Sequence, residues 1–294
     1  MNTASYVQRF LLEDLDIRGA IVRLGDVWQA MLAGRDYPAP VRNLLGEMSA
    51  VVGVIANNLK QTGRLTIQIQ GHGPVSLLVV DCNEALNLRG YAKHAPEAST
   101  GAAGSTAIGQ LVGDGHLLMT LDIEALERPY QSYVPIEGDS VAQVFENYLT
   151  QSEQLPSALQ TACDAGAAAC LFLQKLPGAD QKDADGWDRI TRLASTLRAD
   201  ELLGLEPEEI LTRLFHQETV RVFEAREITH HWPMDWARIH EMLRGLGQAE
   251  AEQIIAEHGE IVIRDDLSNH EYRVKADDLP SIFNSMRATP PTLH

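Results

Sequence analysis

Between residues 41 and 61 the apolar positions Leu44, Leu45, Met48, Val51, Val52, Ile55 and Leu59 recur at helical spacing, and Gly63 follows as a stop. This pattern predicts an amphipathic helix. The period then changes. Leu65-Thr66-Ile67-Gln68-Ile69-Gln70 alternates apolar and polar, Gly71-His72-Gly73-Pro74 turns the chain, and residues 75–80 are apolar enough to be buried on both faces. A β-hairpin is expected there. Residues 9–24 read as a strand that bends, or meets another backbone closely, at Gly19. Further strands are expected at 86–92, 117–122 and 130–135. The small polar stretch 96–105 is expected to be a mobile surface loop.

Ser140 and Gln143 have the spacing of a capping box ahead of an apolar helix face made by Val141, Val144, Phe145, Tyr148 and Leu149, with Leu155-Pro156 as its end. Residues 167–176 read as a buried strand. The next eight, Ala179-Asp180-Gln181-Lys182-Asp183-Ala184-Asp185-Gly186, have a linker's composition. Beyond them short helices are predicted around Ile190 and, started by Pro207, through Phe215. Helices at 235–246 and 248–257, strands at 261–264 and 271–275 and a last short helix complete the chain. The fold class is therefore α+β. Residues 1–178 form a larger core domain with a β-sheet and packed helices, 179–226 a helical linker, 227–286 a small α+β C-terminal domain, and 287–294 a tail.

Composition narrows the function classes. With 294 residues, 45% hydrophobic and 22% charged, the chain is a globular protein with a sizeable core. No apolar run is long enough to cross a bilayer, and the N-terminus lacks a basic start and an apolar signal stretch, so a cytoplasmic protein without a membrane partner is expected. A net charge of −17 opposes the phosphate backbone and argues against nucleic acid. Cys82, Cys163 and Cys170 form no CxxC and are read as small hydrophobes rather than thiolates. There is no nucleophile elbow, Walker loop, GxGxxG or HExxH, and Gly71-His72-Gly73 is a turn rather than a phosphate cradle. No enzyme and no cofactor are expected. The residues with metal-ligand chemistry are His230 and His231, with Asp265, Asp266 and His270 further on. Adjacent histidines project in different directions, which favours a solvated surface over a shared ion.

Gly63-Arg64-Leu65, Gln68-Ile69-Gln70-Gly71-His72-Gly73-Pro74, Leu78-Val79-Val80-Asp81 and Leu88-Arg89-Gly90-Tyr91-Ala92 occur in that order. Tyr130-Gln131, Val134-Pro135-Ile136-Glu137-Gly138-Asp139-Ser140, Gln151-Ser152-Glu153-Gln154-Leu155-Pro156 and Arg213-Leu214-Phe215-His216-Gln217-Glu218 follow them. Through these segments the chain resembles, almost end to end, the 33-kDa heat-shock chaperones, the bacterial redox-regulated holdases. The resemblance implies an α+β core, a metastable helical linker, and a small C-terminal domain that ordinarily holds zinc through four cysteines in CxC and CxxC pairs. It also implies capture of unfolded or partly unfolded client proteins without ATP, and a homodimer. Here the CxC positions fall near Trp232-Pro233-Met234 and the CxxC positions near Arg264-Asp265-Asp266-Leu267, so all four thiolates are absent. The family's thiol switch cannot operate on these residues. In its place a metal-free hydrophobic plug of Trp232, Met234 and Leu267 is expected beneath the hairpin. The alternative to a holdase is a protein-interaction scaffold of the same fold that has lost general chaperone activity.

Overall fold

The computed structural model describes residues 3–59, 63–96, 107–123, 125 and 128–284. They fall into two compact units, residues 1–231 and 232–294. Of the loop expected at 96–105, all but its first residue lies outside the described residues, as does the tail.

The first segment is two strands rather than one. β1 (Tyr6–Leu12) and β2 (Ile17–Leu24) pair antiparallel, with Phe10 opposite Gly19. The polar stretch Glu13-Asp14 and the left-handed backbone of Asp16 (φ 50°) make the turn between them. At Gly19 the close neighbour is a ring rather than a backbone: a Cβ there would sit 2.1 Å from Cζ of Phe10. After helix α1 (Asp26–Leu32), which the sequence pattern did not predict, comes α2 (Ala39–Asn57).

The hairpin β3 (Gly63–Gly71) and β4 (Val75–Asn83) forms as expected and is extended by β5 (Leu88–His94) on one side. Helix α3 (Ile108–Val112) precedes β6 (Gly115–Ile123) and β7 (Tyr130–Val134) on the other side. The resulting antiparallel sheet has the order β5-β4-β3-β6-β7. Its turn glycines serve close packing, since a Cβ on Gly71 would lie 2.2 Å from the carbonyl oxygen of Val112. Gly73 donates its N–H to that same oxygen at 2.7 Å.

Helix α4 (Val141–Glu153) starts at the predicted cap, the Ser140 hydroxyl accepting the Gln143 N–H at 3.2 Å. It leads into β8 (Ser157–Cys163) and β9 (Ala168–Lys175), and β9 pairs with β2. Late in the chain β10 (Val220–Val222) and β11 (Arg226–Glu227) return to pair with β1. This second sheet runs β10-β1-β2-β9-β8, with β11 also on β1.

The pattern of 41–61 suggests one apolar face, but α2 is buried nearly all round, because it packs against strands of both sheets. Gly46 makes room for Cys163, whose Sγ would be 2.3 Å from a Cβ at that position. Leu44, Met48, Val51 and Val52 join Val22, Leu24, Cys170 and Phe172 from one sheet and Ile67, Ile69, Leu78 and Val80 from the other in one core.

The stretch of linker composition is structured. Ala179–Lys182 is a helical turn, α5, with Ala179 buried, followed by α6 (Gly186–Ala194), α7 (Ala199–Gly204) and α8 (Pro207–Phe215). The second unit holds α9 (Trp236–Leu246), α10 (Gln248–His258), a hairpin of β12 (Ile261–Asp265) and β13 (His270–Val274), a 3-10 turn (Ala276–Asp278) and α11 (Leu279–Asn284). Its core is Ile239, Leu243, Ala251, Ile261, Tyr272, Val274, Leu279 and Ile282.

Candidate functional site

Strands β2 and β9 are buried at nearly every position, so both faces of their sheet are covered. One face, through Ala20, Val22, Leu24, Ala168, Cys170 and Phe172, belongs to the core under α2. The other, through Phe10, Leu12, Ile17, Ile21, Ala169, Leu171 and Leu173, is covered by Ile190, Ala194, Leu202, Ile210, Leu211, Leu214 and Phe215 from α6, α7 and α8. The rings of Phe10 and Phe215 sit 6.2 Å apart. These helices are only six to nine residues long. Isolated helices below roughly 12–15 residues are marginal in water, so docking on the sheet is what holds them helical.

The cover is not purely apolar. Arg23 on β2 is buried and reaches up to the end of α7, where its Nη2 donates to the carbonyls of Leu205 and, at 3.4 Å, Leu202. Its Nη1 lies 3.7 Å from Glu206, while among the described residues its Nε has no hydrogen-bond partner. Tyr6, opposite Arg23 in the β1–β2 pairing, has a buried hydroxyl that finds no hydrogen-bond partner among the described residues. Burial pushes that phenol up to about 12, against the pull of Arg23. At the other end of the cover, Arg189 on α6 holds Glu218 at 3.0 Å and Asp183 at 2.8 Å. The hydrogen bond from Arg189 keeps the Asp183 carboxyl below the usual carboxylate range. Buried polar groups left unpaired cost about 1–3 kcal/mol each, so this cover carries a local penalty that a wholly apolar interface would lack.

The three cysteines are free, with Cys82 and Cys170 buried and Cys163 half-buried. Burial pushes all three thiols well above the ordinary thiol range, and no nearby cation reverses it. The reading of these residues as small hydrophobes agrees with that environment.

His230 and His231 belong to the first unit, where they are tied to the start of β5. The His230 Nδ1 lies 2.8 Å from the Leu88 carbonyl, and the backbone of His231 is bracketed by Asn87, which accepts from its N–H at 2.9 Å and donates to its carbonyl at 2.7 Å. Asp265, Asp266 and His270 belong to the hairpin of the second unit. Among the described residues no three His, Cys, Asp or Glu side chains come together so as to hold a metal ion. At the positions where the resemblance places the family's thiolates, Trp232, Arg264 and Leu267 offer no metal donor and Met234 only a weak thioether, so these residues do not fit a thiolate zinc site.

The plug expected of Trp232, Met234 and Leu267 does not form. Met234 is 41% exposed, Trp232 and Leu267 are only half-buried, and none of the three is in the core of the second unit. A hydrogen-bonded aromatic knot holds this end together instead. The His270 Nε2 donates to the carbonyl of Trp232 at 2.6 Å, and the buried Tyr272 hydroxyl accepts the Asp235 N–H at 2.8 Å. Trp236 packs edge-on against Tyr272 with ring centroids 5.0 Å apart. The loop of the hairpin is closed by Asp265, which accepts from the Ser268 hydroxyl at 2.7 Å and the Leu267 N–H at 3.1 Å. The signal that could have pointed there is the spacing of His270 and Tyr272, two aromatic rings on one strand face, opposite a segment rich in tryptophan.

Three comparisons bear on this arrangement. The family model described as "Hsp33 protein" matches residues 5–275. A 33 kDa chaperonin of Chromobacterium violaceum is 40% identical over 286 residues, covering 97% of this chain and 95% of its own, and one of Methylobacillus flagellatus is 37% identical over 287 residues, covering 97% and 96%. The crystal structure of a 33 kDa chaperonin from Thermotoga maritima superposes with a TM-score of 0.78 at 21% identity, covering 97% of this chain and 99% of that one, which shows the same fold.

Proposed function

Because the chain belongs to the Hsp33 family of chaperones, we propose that it is a cytoplasmic holdase that captures unfolded or partly unfolded proteins without ATP and without a zinc-thiolate switch. The observation that carries this reading is the apolar sheet face of Phe10, Ile17, Ile21, Leu171 and Leu173 under a cover of short helices. Lifting α6–α8 converts a buried face into an open apolar surface of the kind that binds exposed hydrophobic segments. The cover is suited to lifting. Its helices gain little from their own length, and the buried Arg23 beneath them is incompletely satisfied. Residues 179–226 are thus the gate.

The absence of the family's thiolates removes the metal from the gate's control, and the second unit is held by its aromatic and hydrogen-bonded knot in place of a zinc ion. The gate then responds to whatever weakens helix docking, heat above all. Light scattering from a thermally unfolding client, with purified full-length chain and no nucleotide, tests the proposal. Aggregation should be suppressed to the same extent with dithiothreitol and after peroxide treatment. Failure to suppress it in any condition, together with recovery of one native partner from pull-downs, would replace the holdase by the scaffold reading.

A further inference from the structure

Strand β7 is an edge of its sheet, and among the described residues nothing pairs with its outer side. Such an edge presents main-chain N–H and C=O groups ready to accept another strand, and proteins normally blunt it with Lys or Pro on the strand itself. β7, Tyr130-Gln131-Ser132-Tyr133-Val134, has neither.

An open groove of about 330 Å³ runs between this strand and α4. Its lining includes Val134, buried on the core face, and Tyr133, which points to the opposite face and packs 5.6 Å from the ring of His116. Side chains from both faces of a strand can line one groove only along its edge. Three tyrosines form the walls. Tyr130 and Tyr133 are 54% and 70% exposed, while Tyr148 on α4 is anchored by its hydroxyl to the sulfur of Met119 at 3.2 Å. Among the described residues Glu137 is the single charged residue of the lining, and the Asn147 side chain donates to its main-chain carbonyl at 3.0 Å, tying the end of β7 to α4.

The charge of the groove selects its occupant. Among the described residues its lining has a carboxylate, no Lys or Arg, and tyrosine faces, in a chain of net charge −17. Tyrosine faces attract cations, and a carboxylate at the end of an aromatic groove adds direct charge pairing. We propose that the β7 edge takes up an extended segment of an unfolded polypeptide as an added strand, with a Lys or Arg side chain of that segment held between the tyrosine rings and Glu137. This rests on the client-holding reading and names where one class of client segment binds, apart from the face under α6–α8.

The test is fluorescence anisotropy with full-length chain and a labelled peptide of about ten residues in which Lys alternates with Val or Thr. A Glu-for-Lys version and a version N-methylated at alternate residues serve as comparators. The Lys peptide should bind, the Glu peptide should not, and N-methylation should abolish binding because it removes the strand hydrogen bonds. Tyr133→Ala and Glu137→Gln, both at exposed positions, should each weaken binding about fivefold or more. Equal binding of the Lys and Glu peptides, or affinity unchanged in both variants, overturns the proposal. So does sedimentation showing that wild type self-associates through this edge and the Tyr133→Ala variant does not, which would assign the groove to a second copy. The parallel light-scattering assay keeps the two readings apart. Aggregation suppressed while the variants bind peptide like wild type defeats this proposal alone, whereas groove-dependent peptide binding without suppression defeats the chaperone reading alone.

Discussion

Glu47, half-buried on α2, has the Thr161 hydroxyl as its hydrogen-bond donor at 2.8 Å, and burial raises its carboxyl above the ordinary range more than that bond lowers it. A carboxyl with a raised folded-state pKa contributes stability while protonated and loses it as pH rises, so the ionised form strains the junction of α2 and β8 at neutral pH. Glu47→Gln should therefore unfold at a higher temperature than wild type at about pH 8, and the gain should shrink as pH falls, vanishing only at about pH 3, below the ordinary glutamate pKa, where both states of the wild-type carboxyl are protonated. Thermal melts at the two pH values decide it. The cysteines give a second residue-scale expectation. With every thiol pushed up by burial, a thiol-alkylating reagent at neutral pH should leave Cys82, Cys163 and Cys170 unmodified in the folded protein and modify all three once it is denatured, as read by mass spectrometry.

At the scale of elements, the docking of α6–α8 is the quantity to perturb. Arg23→Ala leaves the carbonyls of Leu202 and Leu205 without that donor and should weaken the cover by about 1–3 kcal/mol. Hydrogen exchange should then quicken across 186–215 while α2 stays protected, and client capture should begin at a lower temperature. Leu214→Ala, a buried truncation in the same interface, should do likewise at a cost of roughly 2–5 kcal/mol. Much of this architecture is legible in the sequence, because β9 begins with six consecutive apolar residues, Ala168 to Leu173, the pattern of a strand covered on both faces. The β3–β4 hairpin, the Ser140 cap and the elements of the second unit follow from period and capping in the same way. What escapes depends on distant partners. β8, Ser157-Ala158-Leu159-Gln160-Thr161-Ala162-Cys163, is poor in strand-formers and exists through its pairing with β9. Ala179-Asp180-Gln181-Lys182 reads as linker and is made helical by docking, with Lys182 held by Asp16 at 2.8 Å. The Arg23 latch joins residues some 180 positions apart and leaves no local mark. The plug failed for a related reason. Counting apolar side chains near the vacated thiolates predicts burial, whereas hydrogen-bonding groups on Asp265, His270 and Tyr272 close the hairpin first.

For the whole molecule, family membership and site chemistry pull in different directions. The fold is that of the chaperone family, while the residues expected at its metal positions, Trp232, Met234, Arg264 and Leu267, include no thiolate. A strong chelator should accordingly leave the thermal midpoint and the helical circular dichroism of the full chain unchanged, where a zinc-dependent fold would lose the order of 10 kcal/mol carried by a structural ion. The claim on which the rest depends is that short docked helices, released without thiol chemistry, uncover the surface that holds clients. Hydrogen exchange on the reduced, full-length chain, heated with and without an unfolding client, measures it directly. Residues 186–215 should become fast-exchanging as client is captured, with β1, β2 and β9 protected by the bound client. Capture of client while 186–215 stays as protected as α2 would contradict it.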